Sequence, residues 1–250
     1  MDTHGTILEV DGLCKDFGGV RALDSVSFSL REGESLGIIG PNGSGKTTLV
    51  NLITGFLLPT RGTVRFWGRR ITGMSPHRIA RLGIGRTFQM ARPFYHLPAY
   101  RNLVIPLFSK RVRTTAGGRY GDRDAVAIDL LEEVGFERDS LIPFKPASVL
   151  PHGYLKRLEL ARTLAIRPEL IILDELFSGL SMAEVASMVP IIERLQDQGK
   201  TILMIEHRLR ELFRIVDRVI VLNFGAKIAE GTPQEVMESE AVRQAYLGTE

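Results

Sequence analysis

The sequence predicts an α/β fold built around a buried parallel sheet, and three observations carry that expectation. LIILD over 170–174 and TILMIE over 201–206 are continuous apolar runs without polar alternation, the pattern of strands covered on both faces. SLGIIG over 35–40 is a third compact apolar strand and runs straight into a glycine-rich turn. Helical periodicity lies between such strands, as a parallel sheet with crossover connections requires.

Taken in order, residues 6–30 read as short strands, with Val26, Phe28 and Leu30 alternating with Ser27 and Ser29. A helix is expected from near Lys46, and TVRFW over 63–67 is a strand after the Pro59–Gly62 turn. The polar, basic stretch 109–123, with Gly117 and Gly118, reads as a surface loop. Its Lys110, Arg111, Arg113, Arg119 and Arg123 form a solvated charge run, with membrane headgroup contact as the alternative. Residues 124–134 place Ile128, Leu131 and Val134 at helical spacings between an Asp124 N-cap and a Gly135 stop. Residues 155–166 place Leu155, Leu158 and Arg162 along one side of a helix, with Pro168 just beyond its end. A helix over 182–197 holds Pro190 well inside, which predicts a kink or an early break. RVIVLNFG over 218–225 is one more strand, and Thr232-Pro233 is an N-cap and N1 pair that opens a last helix.

The 250 residues suit one large α/β domain or two small ones, and 44% hydrophobic with 24% charged residues excludes disorder. No internal repeat or low-complexity linker divides the chain. Thirty-two Lys plus Arg against 29 Asp plus Glu leave +3, too balanced to indicate nucleic acid. The single cysteine, Cys14, excludes an internal disulfide and a cysteine zinc site, which fits a reducing compartment. There is no run of 18 apolar residues, and MDTHGTILEVDG lacks a charged-then-apolar signal, so neither a membrane span nor export is expected. His4, His77 and His96 read as ordinary structural histidines, and no His or Cys pair has metal-ligand spacing.

GPNGSGKTT matches the phosphate-binding loop, with Gly40, Pro41, Asn42, Gly43, Ser44, Gly45, Lys46, Thr47 and Thr48 in register. Glycines let the backbone curl so that successive N–H groups converge on phosphate oxygens, and the following helix adds its positive end. Lys46 can neutralise the β and γ phosphates, and the Thr47 hydroxyl can ligate Mg²⁺. The competing reading is a plain glycine-rich turn before a helix. LIILDE then supplies Asp174 at a strand end to hold a Mg²⁺ water and Glu175 to polarise the attacking water. Together they predict a P-loop NTPase that binds a nucleoside triphosphate.

With these motifs and their spacing, the chain resembles the ATP-binding subunit of an ABC transporter. The resemblance covers essentially all 250 residues and implies one domain over 1–250. That domain would have a RecA-like parallel sheet core, an N-terminal antiparallel β part, a helical subdomain over about 90–163 and a helical end over about 232–248. Phe17, 29 residues before Lys46, stands where the family places an adenine-stacking aromatic, usually Tyr; core packing is the alternative. Gln89 in GRTFQ resembles the glutamine that senses Mg²⁺ and the γ-phosphate. His207 in MIEHRL resembles the histidine that contacts the γ-phosphate. Phe94 and Tyr95, just after Gln89, are candidates for the membrane-partner contact, with subdomain core as the alternative. The segments IGRTFQ, RLELARTL, EHRL and VLNFGAKIAEGTP, with AYLG, resemble the branched-chain amino-acid transport branch. The resemblance implies ATP and Mg²⁺ as cofactors and import as the direction. It implies integral-membrane permease subunits, a second ATP-binding subunit and, indirectly, a solute-binding protein as partners, without nucleic acid. The expected place is the cytoplasmic face of the plasma membrane. Urea or short amides are the alternative solutes, and a partner subunit with little turnover of its own is the alternative role.

Two segments depart from the family. LPHGYLKR over 150–157 stands where Leu-Ser-Gly-Gly-Gln would reach a partner's γ-phosphate, keeping Leu150 and Gly153 but carrying Pro151, His152 and Tyr154. Either His152 or Tyr154 replaces the missing donor, or the dimer is asymmetric and an unlike partner carries the intact signature. ELFSGLSM over 175–182 carries Leu176 where Pro is usual and Ser181 where Asp or Asn is usual. A DNA- or ribosome-directed ATPase would carry a coiled-coil insertion or second ATPase half, and neither is seen; a P-loop kinase would need an acceptor site, and the family-like placement of Gln89 and His207 argues against it.

Overall fold

The computed structural model describes residues 5–89, 92–115 and 122–247. The N-terminal strands are long: β1 (Thr6–Phe17) and β2 (Val20–Arg31) form one antiparallel hairpin. With β4 (Arg61–Phe66) and β5 (Arg69–Arg70) they make a four-stranded sheet in the order β2-β1-β4-β5. The second sheet has the order β10-β9-β3-β8-β7-β6. Its members are β3 (Ser35–Ile39), β6 (Ile84–Arg86), β7 (Leu170–Asp174), β8 (Thr201–Ile205), β9 (Arg218–Asn223) and β10 (Ala226–Gly231). All its pairings are parallel except β10 on β9.

The apolar runs behave as their lack of alternation predicts, because β3, β7 and β8 are buried along their whole length. Alternate residues serve different cores. Ile171, Leu173, Ile202 and Met204 face a helical layer, whereas Ile172, Leu203 and Ile205 face the N-terminal sheet and α1 (Lys46–Ile53). The helical layer includes α3 (Arg101–Leu107), α5 (Arg123–Glu133) and α6 (His152–Leu164), packed through Leu103, Leu131 and Leu158.

Several local expectations need correction. The 109–123 stretch is not wholly loop: α4 (Lys110–Thr115) buries Val112. Arg111 is not solvated either, since its guanidinium donates to the carbonyls of Leu82 and Arg167 and to Glu169. Arg123 lies 3.9 Å over the Phe108 ring. Gly117, Gly118 and Arg119 lie outside the described residues, as does His4. Asp122, not Asp124, caps α5, because its carboxylate accepts the Asp124 N–H at 2.9 Å. Helix α6 starts at His152, one turn before Leu155, so the altered signature forms its first turn.

Helix α7 (Met182–Asp197) runs through Pro190 without a break. Pro190 and Ala186 are on the exposed side, so the carbonyl left without an N–H partner faces solvent. Val185, Met188, Val189, Ile192 and Leu195 hold the opposite face in the core. Ser181 supplies the cap that Asp or Asn would: it accepts the Glu184 N–H, and Glu184 accepts the Ser181 N–H in return. Thr232 makes the same reciprocal cap on α9 (Pro233–Glu238), with Pro233 at N1, before α10 (Glu240–Leu247) closes the chain. The remaining helices are α2 (Pro76–Leu82) and α8 (Leu209–Ile215). Among the described residues, no helix is long and apolar enough to cross a membrane. Ser181→Ala should lower unfolding stability by about 1 kcal/mol, the usual worth of such a cap, as read from the urea midpoint.

Candidate nucleotide site

Strand β3 delivers the chain to a loop that only glycine can follow at two points. A Cβ on Gly40 would lie 2.0 Å from the Leu222 carbonyl oxygen, and one on Gly45 would lie 2.7 Å from that of Ala22. Gly40, Gly43 and Gly45 all take positive φ, which turns the backbone of 40–45 into a cup at the start of α1. Lys46 folds back over this cup and donates to the carbonyls of Gly40 at 2.7 Å and Pro41 at 2.9 Å. Burial pushes its ammonium pKa below the usual lysine value, and the Glu175 charge opposes that shift. The Ser44 hydroxyl is buried without a hydrogen-bond partner. A glycine cup, an unpaired hydroxyl and a cation held only by loop carbonyls fit a phosphate chain.

Asn42, Gly43, Ser44, Gly45, Lys46, Thr47 and Thr48 line a cavity of about 180 Å³ together with Glu175 and His207. Thr47, Gln89 and Asp174 line a neighbouring cavity of about 480 Å³. One hydroxyl, one amide and one carboxylate are the hard oxygen ligands that suit Mg²⁺. Glu175 adopts φ +49°, a strained conformation for a non-glycine residue, while its N–H donates to the Ile205 carbonyl at 2.9 Å. That turn lifts its carboxylate between two partners. Gln89 Nε2 donates to one oxygen at 2.7 Å, and His207 Nε2 to the other at 3.0 Å. A carboxylate held on both sides can accept a proton from a water placed at the mouth of the phosphate cavity.

The structure therefore gathers Lys46, Thr47, Gln89, Asp174, Glu175 and His207, which lie far apart in sequence. Phe17 lines neither cavity. It is 47% exposed at the end of β1, which removes the core-packing reading, and Lys15 Nζ sits 4.9 Å from its ring centre. In the altered signature, the Tyr154 hydroxyl donates to Glu137 and its ring packs edge-on against Phe136. That bond lowers the Glu137 pKa, and burial, helped by the same bond, raises that of Tyr154. His152 lies against Ser178 and Gly179, its Nε2 3.4 Å from the Ser178 carbonyl oxygen.

Three groups beneath the site escaped the sequence reading. Arg86 donates to Asp174 at 2.7 Å, to Asn51 of α1 and to Thr54 just past the end of that helix, with the Phe56 and Phe88 rings beside it. Lys156 is almost fully buried and donates to the carbonyls of Gln89 and Glu175. Glu206 is buried and accepts the Phe177 N–H at 2.7 Å. Burial pushes its pKa up to about 7, with backbone hydrogen bonds from Phe177 and His207 opposing the rise. For Lys156 a signal existed: Gly153, Lys156, Leu160 and Thr163 share one helical face, the face that α6 buries. Arg86 and Glu206 have no comparable pattern.

The fold and this site define a P-loop NTPase. Residues 23–178 match the ABC transporter family, and 226–250 match the branched-chain amino acid ATP-binding cassette transporter family. The chain is 37% identical to the high-affinity branched-chain amino acid transport ATP-binding protein BraF of Pseudomonas aeruginosa, covering 97% of this chain and 98% of BraF. It is 38% identical to LivG of Salmonella typhimurium, of the same description, over 97% and 98% of the two chains. The crystal structure of an ABC transporter ATP-binding cassette in its ADP conformation superposes with a TM-score of 0.84 at 32% identity, covering 98% and 99%. A nucleotide-free cassette superposes at 0.85 and 31% identity, covering 98% and 100%. This chain belongs to the ABC transporter ATP-binding family, whose members bind nucleotide and hydrolyse ATP.

Lys46→Ala should weaken ATP binding about ten- to a hundredfold, the worth of a charge-assisted hydrogen bond, by fluorescent-nucleotide titration. The Glu206 carboxyl titrates near 7 when folded against 4.5 when free. The folded state therefore holds a proton that the unfolded chain releases, and stability falls as pH rises from about 4.5 to about 7. Glu206→Gln should remove that fall, making the variant more stable than the parent at pH 8 but not at pH 4, by urea midpoints.

Proposed function

We propose that this chain is the Mg²⁺-dependent ATP-hydrolysing subunit of a membrane importer, with branched-chain amino acids as its solutes. The observation that carries the hydrolytic reading is Glu175, strained at φ +49° and gripped by Gln89 and His207 beside the phosphate cup. The identity to BraF and LivG over nearly the whole chain supports the solute class.

In this reading the backbone of Gly40, Pro41, Asn42, Gly43, Ser44 and Gly45 cradles the phosphates, with Lys46 and Thr48. Lys46 exchanges its loop carbonyls for phosphate oxygens. Phe17 presents its exposed face to the adenine. Thr47, Gln89 and Asp174 would hold Mg²⁺, which when bound neutralises phosphate charge and aligns the terminal phosphoryl group. Glu175 takes the proton of the attacking water, and His207 orients Glu175 and meets the γ-phosphate side. The 1–250 chain acts as one domain, with 90–163 as a helical subdomain and about 232–248 as a helical end.

Integral-membrane permease subunits, a second ATP-binding subunit and, indirectly, a solute-binding protein are the partners, and the chain sits peripherally on the cytoplasmic face. A groove of about 400 Å³ between α1–α2 and the helical layer supports the permease contact. Phe56, Phe88, Phe94 and Ile105 line it, each exposed, with Arg86 and Arg162 beneath. Phe94 belongs to this groove; Tyr95, equally exposed, does not line it. A second reading, an unlike partner carrying the intact signature, is favoured by Pro151 and by the Tyr154 hydroxyl already bonded to Glu137.

Glu175→Gln should cut Mg²⁺-ATP turnover at least about a hundredfold while leaving ATP affinity within threefold, and chelating Mg²⁺ should abolish turnover of the parent. Uptake of labelled leucine, isoleucine and valine should fail in cells lacking this chain; loss of urea uptake alone would overturn the solute assignment. Sedimentation of Glu175→Gln with ATP separates the partner readings, because a homodimer removes the need for an unlike subunit.

A further inference from the structure

We infer that Lys156 is a positioning residue for ATP hydrolysis, one that ties the first turns of α6 to the carboxylate and the amide flanking the attacking water. The inference rests on the hydrolytic reading above. Lys156 is 1% exposed, and its ammonium donates to the Gln89 carbonyl at 2.8 Å and to the Glu175 carbonyl at 3.2 Å. These are the backbones of the two residues whose side chains meet at 2.7 Å above it. One buried cation thus spans the loop after β6 and the strained turn after β7.

Burial pushes the Lys156 pKa down, and the charges of Glu206, Glu159, Glu175 and Asp174 oppose that shift. Glu206 in turn holds the N–H of Phe177, two residues past Glu175, and receives that of His207. Lys156 and Glu206 therefore hold backbone groups of Gln89, Glu175, Phe177 and His207 beneath the carboxylate and its two partners. A lysine is unusual in such a place, because an ammonium removed from water needs acceptors in fixed directions. Its presence has a mechanical consequence. Glu175 at φ +49° has no conformational preference of its own for that position, so the aim of its carboxylate depends on the bonds that hold the turn, of which Lys156 makes the one to its carbonyl. Because Lys156 lies one turn inside the helix that begins at His152, a shift of that helix moves Glu175 and Gln89 together.

The test compares the full-length parent with Lys156→Met, Lys156→Arg and Glu206→Gln. Steady-state ATP turnover, fluorescent-nucleotide affinity and melting temperature are read for each. Lys156→Met, close in volume and without donors, should lower kcat at least tenfold while KM and nucleotide affinity stay within threefold. Lys156→Arg, which keeps a buried cation able to reach both carbonyls, should recover most of that loss. Glu206→Gln, which keeps the Phe177 acceptor and loses the charge, should lower kcat severalfold, and it reports even if Lys156→Met fails to fold. Unchanged kcat in Lys156→Met, or a fall in kcat matched by equal losses of affinity and melting temperature that Lys156→Arg does not reverse, overturns the inference alone. A parent that binds ATP without turning it over overturns the hydrolytic reading, and the inference with it.

Discussion

The phosphate cup and the acidic groups beside it hang from one end of a sheet whose middle strands are buried on both faces. The ends of β3, β7 and β8 lead directly to the phosphate cup, to Asp174-Glu175 and to Glu206-His207. Parallel pairing puts these three ends side by side, and burial of alternate residues in two separate cores fixes the register of each strand. A slip of one residue would turn the ends the wrong way and bury a different set of side chains. Site geometry is therefore protected by the same apolar packing that holds the domain together.

Two kinds of local strain sit on that rigid base. The cup requires glycine where a Cβ would strike the carbonyls of Leu222 and Ala22. Glu175 takes a left-handed conformation without being glycine, and the surrounding bonds over-determine it: Ile205 from β8, Lys156 from α6, and the side chains of Gln89 and His207. Arg86 does comparable service for Asp174. It lines both the apolar groove and the site cavity, as do Phe56 and Phe88, and it donates to Asp174, Asn51 and Thr54.

The unusual residues of this chain divide by what they do. Ser181 preserves a helix cap with different chemistry, and Leu176 is simply buried beside the core. The altered signature is a real change of surface, because Pro151 offers no N–H and Tyr154 turns back toward Glu137. His152 remains at the first turn of α6, resting on the loop that follows Glu175.

The strands, the phosphate loop and the acidic pair were legible in the sequence because each depends on neighbours close in the chain. An apolar run without alternation, glycines at set spacing, and a cap followed by proline all act through local stereochemistry. Boundaries were less legible: Asp122 rather than Asp124 caps α5, and α7 continues past Pro190, because caps and breaks yield to which face is solvated. Arg111 read as a solvated charge until Leu82, Arg167 and Glu169 closed around it. The sequence by itself determined which residues can bind phosphate and metal and which can take a proton. Only the tertiary structure decided that Lys156, Arg86 and Glu206 stand beneath them, because a buried charge is placed by partners from other strands and helices; the spacing marks Lys156 as lying on the buried face of α6 but not what it meets there, and it leaves no mark for Arg86 and Glu206.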